Sequence, residues 1–286
     1  MSEILLRQVM EKEMMLDDYL DSKYFSRKQK HLLKMEKRIV VNDHIVTHNI
    51  SLKTNDIITI DCMKSEMDDI SSYKYDLEIL YEDDVVLIIN KPIHMIVHSD
   101  GNDIQTLDNA VKYYFEKTNQ NCPVRHIHRL DRDTSGCILY CKCSYLQPYF
   151  DHMMSTKQIR RTYLALVQGK IDQSMTINQN IGKDRHANKY RVSKTGQSAI
   201  THVKPIKVRS NKTLVECLLE TGRTHQIRVH LSSIKHPLIG DEIYGNKSKV
   251  RCCLHSHTIS FTHPITFEYI KITCPLPKDI ENCINS

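Results

Sequence analysis

The chain has 286 residues, 40% of them hydrophobic, with 40 Lys+Arg against 34 Asp+Glu and a net charge of +6. That composition supplies a core for one large domain plus a small appendage, and excludes a wholly disordered chain. No apolar run approaches the roughly 20 residues that span a bilayer, and the acid-bearing start MSEILLRQVMEKEMM is unlike an export signal, so a cytoplasmic protein is expected.

The ten Cys show no CxxC spacing and read as reduced thiols. Cys141-x-Cys143, Cys252-Cys253 and His255-x-His257 fit alternation along strands better than a zinc site. Charge is unevenly spread. Thr156 to Lys212 holds 13 Lys+Arg and two acids, a net of +11, which leaves −5 for the rest. Such a stretch marks a face for a polyanion, with a solvated surface as the bland alternative. Glycine is scarce: there are eight, none in the first 100 residues.

In chain order, Leu16, Tyr19 and Leu20 lie at helical spacing. Ser26 is placed to cap a basic helix from Arg27 to Lys37. Strands follow at Ile39–Val41, Ile45–Val46 and Ile57–Ile60, with a turn at Asn42-Asp43. Residues 63–74 are polar, without periodicity, and read as a linker. Beyond them, strands are expected at Val85–Ile89, Ile138–Cys143, Thr162–Val167, Ala199–Val208, Thr213–Glu220, Cys252–Phe261 and Thr266–Thr273. Helices are expected at Thr106–Lys117, Ser144–Met154 and Thr224–Ser233, the last capped by Thr224. Strands with scattered helices and no regular βαβ repeat make an α+β protein.

Three segments concentrate chemistry. HRLDRDTSG (His128 to Gly136) joins two carboxylates, two guanidiniums and two hydroxyls within an apolar context. LLETGRTHQIRVH (Leu218 to His230) turns at Gly222 and brings Arg223 to the turn, with Arg228 and His225 on the helix. RRTYLALVQG (Arg160 to Gly169) sets Tyr163 in an apolar strand behind two Arg. A salt-bridged loop and a core tyrosine are the structural alternatives. Asp131 and Asp133 at i and i+2 also admit a metal-dependent nuclease, although the further acids such a site needs are not evident.

Together these segments resemble the RluA-type RNA pseudouridine synthases. EDDVVLIINKPIHMIVHSDG, SKTGQSAIT, HPLIGDEIYG and LHSHTISFTHP add to the match, which covers about residues 75 to 275. The N-terminal stretch LDDYL, SRKQKHLLKMEKRIVVNDHIV and LKTNDIITID resembles the S4 RNA-binding module, with Asp43 and Asn55 where that family has glycine. Pro92-Ile93-His94 stands in place of a Pro-Ala-Gly turn, which implies a local change there. Gln197 stands in place of a Lys, which implies one phosphate contact fewer.

The resemblance implies a mixed, mainly antiparallel catalytic domain at 75–286, joined through the linker to a small α/β S4-like module at 1–62. It implies isomerisation of uridine to pseudouridine in RNA, with no metal, nucleotide or redox cofactor. Asp131 would be nucleophile or base, Arg223 its ion-pair partner, and Tyr163 the residue stacking on the target base; Asp133 would be structural. Arg129, Arg132, Arg160, Arg161, Lys183, Arg185, Lys189 and Arg191 would contact RNA, and Arg27 and Lys28 would do so from the N-terminal helix. Large-subunit ribosomal RNA is the first expectation for the substrate and transfer RNA the alternative, acted on by a monomer. A catalytically silent RNA-binding protein is the remaining rival, disfavoured by the presence of Asp131, Tyr163 and Arg223 together.

Overall fold

The computed structural model describes residues 5–62, 69–99, 101, 103–185, 187, 189–246 and 249–285. Residues 63–68 of the expected linker lie outside these, as do His186 and Asn188 of the basic stretch; residues 69–74 carry no regular structure.

The N-terminal part runs β1 (Leu5–Val9), β2 (Met14–Met15), α1 (Leu16–Ser22), α2 (Arg27–Met35), β3 (Ile39–Val41), β4 (His44–Ile45), β5 (Ser51–Leu52) and β6 (Ile57–Asp61). Its main sheet has the order β1-β6-β3-β4. Ser26 caps α2 in a reciprocal box with Gln29, as its position predicts. Asn42, Asp43 and Asn55 all take positive φ, so these turns are made without glycine. β1 has no counterpart in the sequence reading. Its Leu6 is buried beside β6, but the five-residue strand is too short for alternation alone to reveal.

The larger part runs β7 (Glu78–Glu82), β8 (Val86–Lys91), α3 (Leu107–Lys117), β9 (Arg125–His126), β10 (Ser135–Cys141), α4 (Gln147–Ser155), β11 (Arg160–Gln168), β12 (Met175–Asn178), β13 (Ile181–Lys183), β14 (Tyr190–Val192), β15 (Ile200–Arg209), β16 (Lys212–Leu219), α5 (Gln226–Ser233), β17 (Leu254–Thr262), β18 (Tyr269–Thr273) and α6 (Lys278–Asn285). Ten of these strands form one sheet along the path β12-β15-β16-β11-β17-β10-β8-β7, with β18 on β17 and β9 on β10. Pairing is antiparallel except where β10 meets β17, so the α+β class expected from the sequence is the class found.

β10 shows why the sheet holds together. All seven of its residues are buried. Cys137, Leu139 and Cys141 face one cluster with Phe150 of α4, while Ile138 and Tyr140 face another with Val111 and Phe115 of α3. A strand covered on both faces reads as a continuous apolar run. The first cluster continues through Leu33, Phe25 and Leu20 into the N-terminal part. Polar contacts reinforce this joint: Gln29 donates to the carbonyls of Ser144 and Tyr145 at 3.3 and 3.4 Å, and Cys143 Sγ donates to the Cys62 carbonyl at 3.0 Å. The ten cysteines are free thiols. Among the described residues no helix is long and apolar enough to cross a membrane.

Candidate active site

The loop between β9 and β10, the outer end of β11, the end of α4 and the turn from β16 into α5 enclose a cleft of about 940 Å³. Asp131, Tyr163, Arg223, Arg129, Arg132 and Arg161 all line it. Sequence segments almost 100 residues apart are thus brought to one place. Arg160 points elsewhere on β11 and is exposed. Lys183, Arg185, Lys189 and Arg191 are exposed on or beside the β13–β14 hairpin, and Arg27 and Lys28 are exposed on α2.

The ion pair expected between Arg223 and Asp131 is not the one formed. Arg223 is exposed, and its Nε donates to the Ser198 carbonyl at 3.0 Å. Arg228 faces Asp131 instead, Nη1 to Oδ2 at 3.7 Å. The cause is local. Gln226 accepts hydrogen bonds from the Arg223 amide and the Thr221 hydroxyl, so its side chain, not Thr224, organises the helix start. The helix begins at Gln226, after His225 in a left-handed conformation. That register leaves Arg223 in the turn and buries Arg228.

Arg228 is itself clamped. Its Nε and Nη2 donate to the two carboxylate oxygens of Asp241, both at 2.8 Å, and Asp241 is fully buried. Burial opposes the charge on Arg228, but the hydrogen bonds and charge of Asp241 outweigh it and push the pKa up. Burial likewise opposes ionisation of Asp241, and Arg228 with the Tyr244 and Ile243 amides holds its carboxyl below the usual range. Bidentate geometry fixes direction as well as charge. The partner of Asp131 is therefore set by a residue in the HPLIGDEIYG segment, a role not assigned to Asp241 from sequence.

His225 also reaches the site, with Nε2 3.9 Å from Asp131 Oδ2. Its Nδ1 lies 2.9 Å from the Tyr244 hydroxyl, which accepts from the Tyr190 amide at 2.9 Å. Burial lowers the His225 pKa and Asp131 only partly opposes this. The hairpin carrying the basic stretch is thereby linked through Tyr244 to the residue beside Asp131.

Asp133 diverges from Asp131. It faces His94 at 3.4 Å, while the Thr134 amide bonds the Asp131 carbonyl at 3.0 Å. His94 takes φ +64°, so the turn where the family has glycine is made by another residue. Beneath the loop, Lys91 is fully buried and donates to the carbonyls of Pro92, Met95 and Arg132 at 2.7, 2.7 and 3.4 Å. Burial pulls its pKa down to about 7, against the opposing charges of Asp131 and Asp133.

Opposite Asp131, Tyr163 is 4% exposed and burial raises its phenol pKa. Arg161 lies two residues away on the same face of β11. His128 is held neutral by burial and by the Arg161 guanidinium nearby.

Comparisons with known proteins bear on family and fold. The model of the family described as RNA pseudouridylate synthase matches residues 85–233, which leaves the N-terminal part outside it. The chain is 38% identical over 287 residues to the uncharacterized RNA pseudouridine synthase YhcT of Bacillus subtilis, covering 94% of this chain and 95% of that protein. It is 31% identical over 262 residues to ribosomal large subunit pseudouridine synthase D of Xylella fastidiosa, covering 85% and 78% respectively. Among solved structures, human RNA Pseudouridylate Synthase Domain Containing 4 shares the fold, with TM-score 0.61 and 20% identity over 73% of this chain and 92% of that chain.

Proposed function

The chain belongs to the RNA pseudouridylate synthase family and is an RNA pseudouridine synthase; from that premise we propose that Asp131 is the reacting carboxylate and that the substrate is large-subunit ribosomal RNA. The observation that carries the first part is the clamp at Asp131. A carboxylate acts as nucleophile or base only when ionised, and Arg228, held by Asp241, presents a fixed positive charge to it. Support for the second part is the set of relatives named ribosomal large subunit pseudouridine synthase D.

In this reading the target uridine is turned out of its helix into the cleft, at a cost of a few kcal/mol. Tyr163 stacks on its base. Arg129 and Arg132 hold phosphates at the rim, and Arg160, outside the cleft, the basic hairpin and α2 extend that track. Residues 1–62 serve as an S4-like RNA-binding module and 75–286 as the catalytic domain. The stacked rings of Tyr24 and His152, 3.8 Å apart, join α4 to the N-terminal part, while Asp151, Met154 and Ser155 of α4 reach the cleft. RNA lying on both parts would thus meet one continuous body.

Tritium release from ribosomal RNA transcripts labelled at uracil C5, measured in EDTA, tests the proposal. Wild-type enzyme releases tritium and Asp131→Asn does not. Release by the Asn variant at the wild-type rate would remove Asp131 from the chemistry. Release from transfer RNA transcripts alone would redirect the substrate.

A further inference from the structure

Among the described residues four Lys or Arg are buried: Lys91, Lys142, Arg161 and Arg228. Three have evident partners. Lys91 has its three carbonyls, Lys142 pairs with Glu82 at 2.9 Å, and Arg228 is clamped by Asp241. Arg161 is different. It is 8% exposed, and its buried Nε has no hydrogen-bond partner. A buried guanidinium N–H without an acceptor is costly to keep. Its retention on the wall of a substrate cleft points to an acceptor that arrives with the substrate.

The position of Arg161 narrows what that acceptor is. It shares its face of β11 with Tyr163, and its guanidinium lies over Gly222. A Cβ at Gly222 would stand 3.5 Å from Nη2 and 3.7 Å from Nη1, so the bare glycine leaves that space open. The exposed cations Arg129 and Arg132 already line the mouth, where a phosphodiester with its two riboses can pass. Arg161 and Tyr163 line the same cleft from neighbouring positions of one strand face, so a base stacked on Tyr163 brings its edge to Arg161. Resting on the reading of the cleft as the uridine site, we propose that Arg161 binds the carbonyl edge of the target uracil and stabilises the negative charge the ring carries once detached.

The chemistry calls for such a group. When N1–C1′ breaks, the bonding pair leaves with the uracil and spreads over N1, O2 and O4. At C1′ the deficit is met by an Asp131 oxygen forming a bond, or by the pair released when Asp131 takes the C2′ proton. The ring then turns and C5 supplies the pair for the C5–C1′ bond. Asp131 leaves C1′, or returns its proton to C2′, accordingly; H5 departs as a proton and N1 takes one up. Turning uracil about its C6–N3 axis exchanges N1 with C5 and, at the same time, O2 with O4. A donor that meets one carbonyl before the turn meets the other after it. One guanidinium therefore serves both halves of the reaction, where a preorganised donor is most effective.

The test uses full-length Arg161→Met and Arg161→Lys enzymes with an unmodified large-subunit ribosomal RNA transcript labelled with tritium at uracil C5. With enzyme in excess, Arg161→Met releases tritium about 10²–10³-fold more slowly than wild type. Its RNA affinity and the salt dependence of binding stay the same, and Arg161→Lys falls between the two. Because an unpaired charge has been removed, the Met variant melts at the wild-type temperature or a few degrees higher. On 5-fluorouridine RNA, followed by chromatographic loss of that nucleoside, the Met penalty shrinks, since fluorine itself stabilises the departing ring. A wild-type bound-state rate with weaker, less salt-dependent binding would make Arg161 a phosphate contact and overturn the inference while leaving the reading of the cleft intact. A fall in melting temperature of the Met variant would make it a structural residue. No release by wild type would end both.

Discussion

The two walls of the cleft treat charge in opposite ways. On the α5 side, Asp131 faces Arg228, Arg228 is forked onto Asp241, and Lys91 is capped by three carbonyls below the loop. On the β11 side, Arg161 keeps a buried Nε without a partner. Paired charges hold a geometry that exists before RNA arrives; an unpaired one waits for an acceptor. On the proposed reading, the first wall sets the position of Asp131 as the reacting carboxylate and the second meets the substrate.

Asp241→Asn should break the contrast most severely. It leaves the Arg228 guanidinium buried against a neutral amide, so unfolding in urea is expected to show a loss of about 3–5 kcal/mol. Arg228 would then drift from Asp131, and displacement of this kind costs on the order of 10²-fold in rate, read as single-turnover tritium release. Unchanged stability in Asp241→Asn would mean that the fork does not anchor this wall.

Gly136→Ala is the next in size. Gly136 follows the Asp131 loop, pairs with Lys91 on one side and Ser256 on the other, and has φ +111°. An added Cβ would stand 2.2 Å from the Ser256 carbonyl oxygen, so the parallel contact between β10 and β17 must open. The expected loss is about 2–4 kcal/mol, with activity falling because the loop loses its base. A folded, fully active Ala variant would show that the loop is held from the α5 side alone.

These residues also show what the sequence could and could not reveal. HRLDRDTSG, RRTYLALVQG and TGRTHQIRVH were legible because each packs charge into an apolar context, and the structure brings all three to one cleft. The choice between Arg223 and Arg228 was not legible from spacing. It depends on whether the helix starts at Thr224 or two residues later, which the Gln226 side chain decides through contacts with Thr221 and Arg223. Asp241 was hidden for a different reason: its partner lies 13 residues away on another element. A face made by Ile227, Arg228 and Leu231, all buried, was the available signal, since an arginine amid core positions requires a carboxylate. The N-terminal helix and its turns were readable because caps and positive-φ Asn and Asp act locally; its joint to α4 was not.

Lys91→Met sharpens the comparison through pH. Removing the ammonium leaves the carbonyls of Pro92, Met95 and Arg132 without that donor, at about 1–3 kcal/mol. The folded pKa is about 7, whereas an unfolded lysine titrates near 10.4. Between these values the unfolded chain binds more protons, so this residue makes stability rise with pH across the window and adds no slope below it. Urea midpoints measured from pH 7 to 10 should show that rise in the wild type and a flatter line in the Met variant. Parallel lines would place the Lys91 titration outside the window.

The smallest effects belong to the exposed cations, and they extend the comparison from the cleft to its surroundings. Arg27 and Lys28 of α2 and the bases of the β13–β14 hairpin are all solvated, but they connect differently to Asp131. The hairpin reaches His225 through the Tyr190 amide and the Tyr244 hydroxyl, whereas α2 reaches the turn before α4, where Gln29 donates to the Ser144 and Tyr145 carbonyls. Arg27→Ala with Lys28→Ala, and Lys189→Ala with Arg191→Ala, should each lower the salt slope of RNA binding by about one for every phosphate no longer neutralised. The α2 pair should leave the bound-state rate untouched. The hairpin pair should slow it severalfold, because RNA seated on the hairpin is expected to settle Tyr244 and His225 against Asp131. Tyr244→Phe supplies the control: it retains the ring but removes the hydroxyl link, so its rate should fall with the salt slope unchanged. Identical rate effects from both pairs would show that the hairpin contributes only charge, and would confine the difference between ordered and waiting groups to the cleft walls.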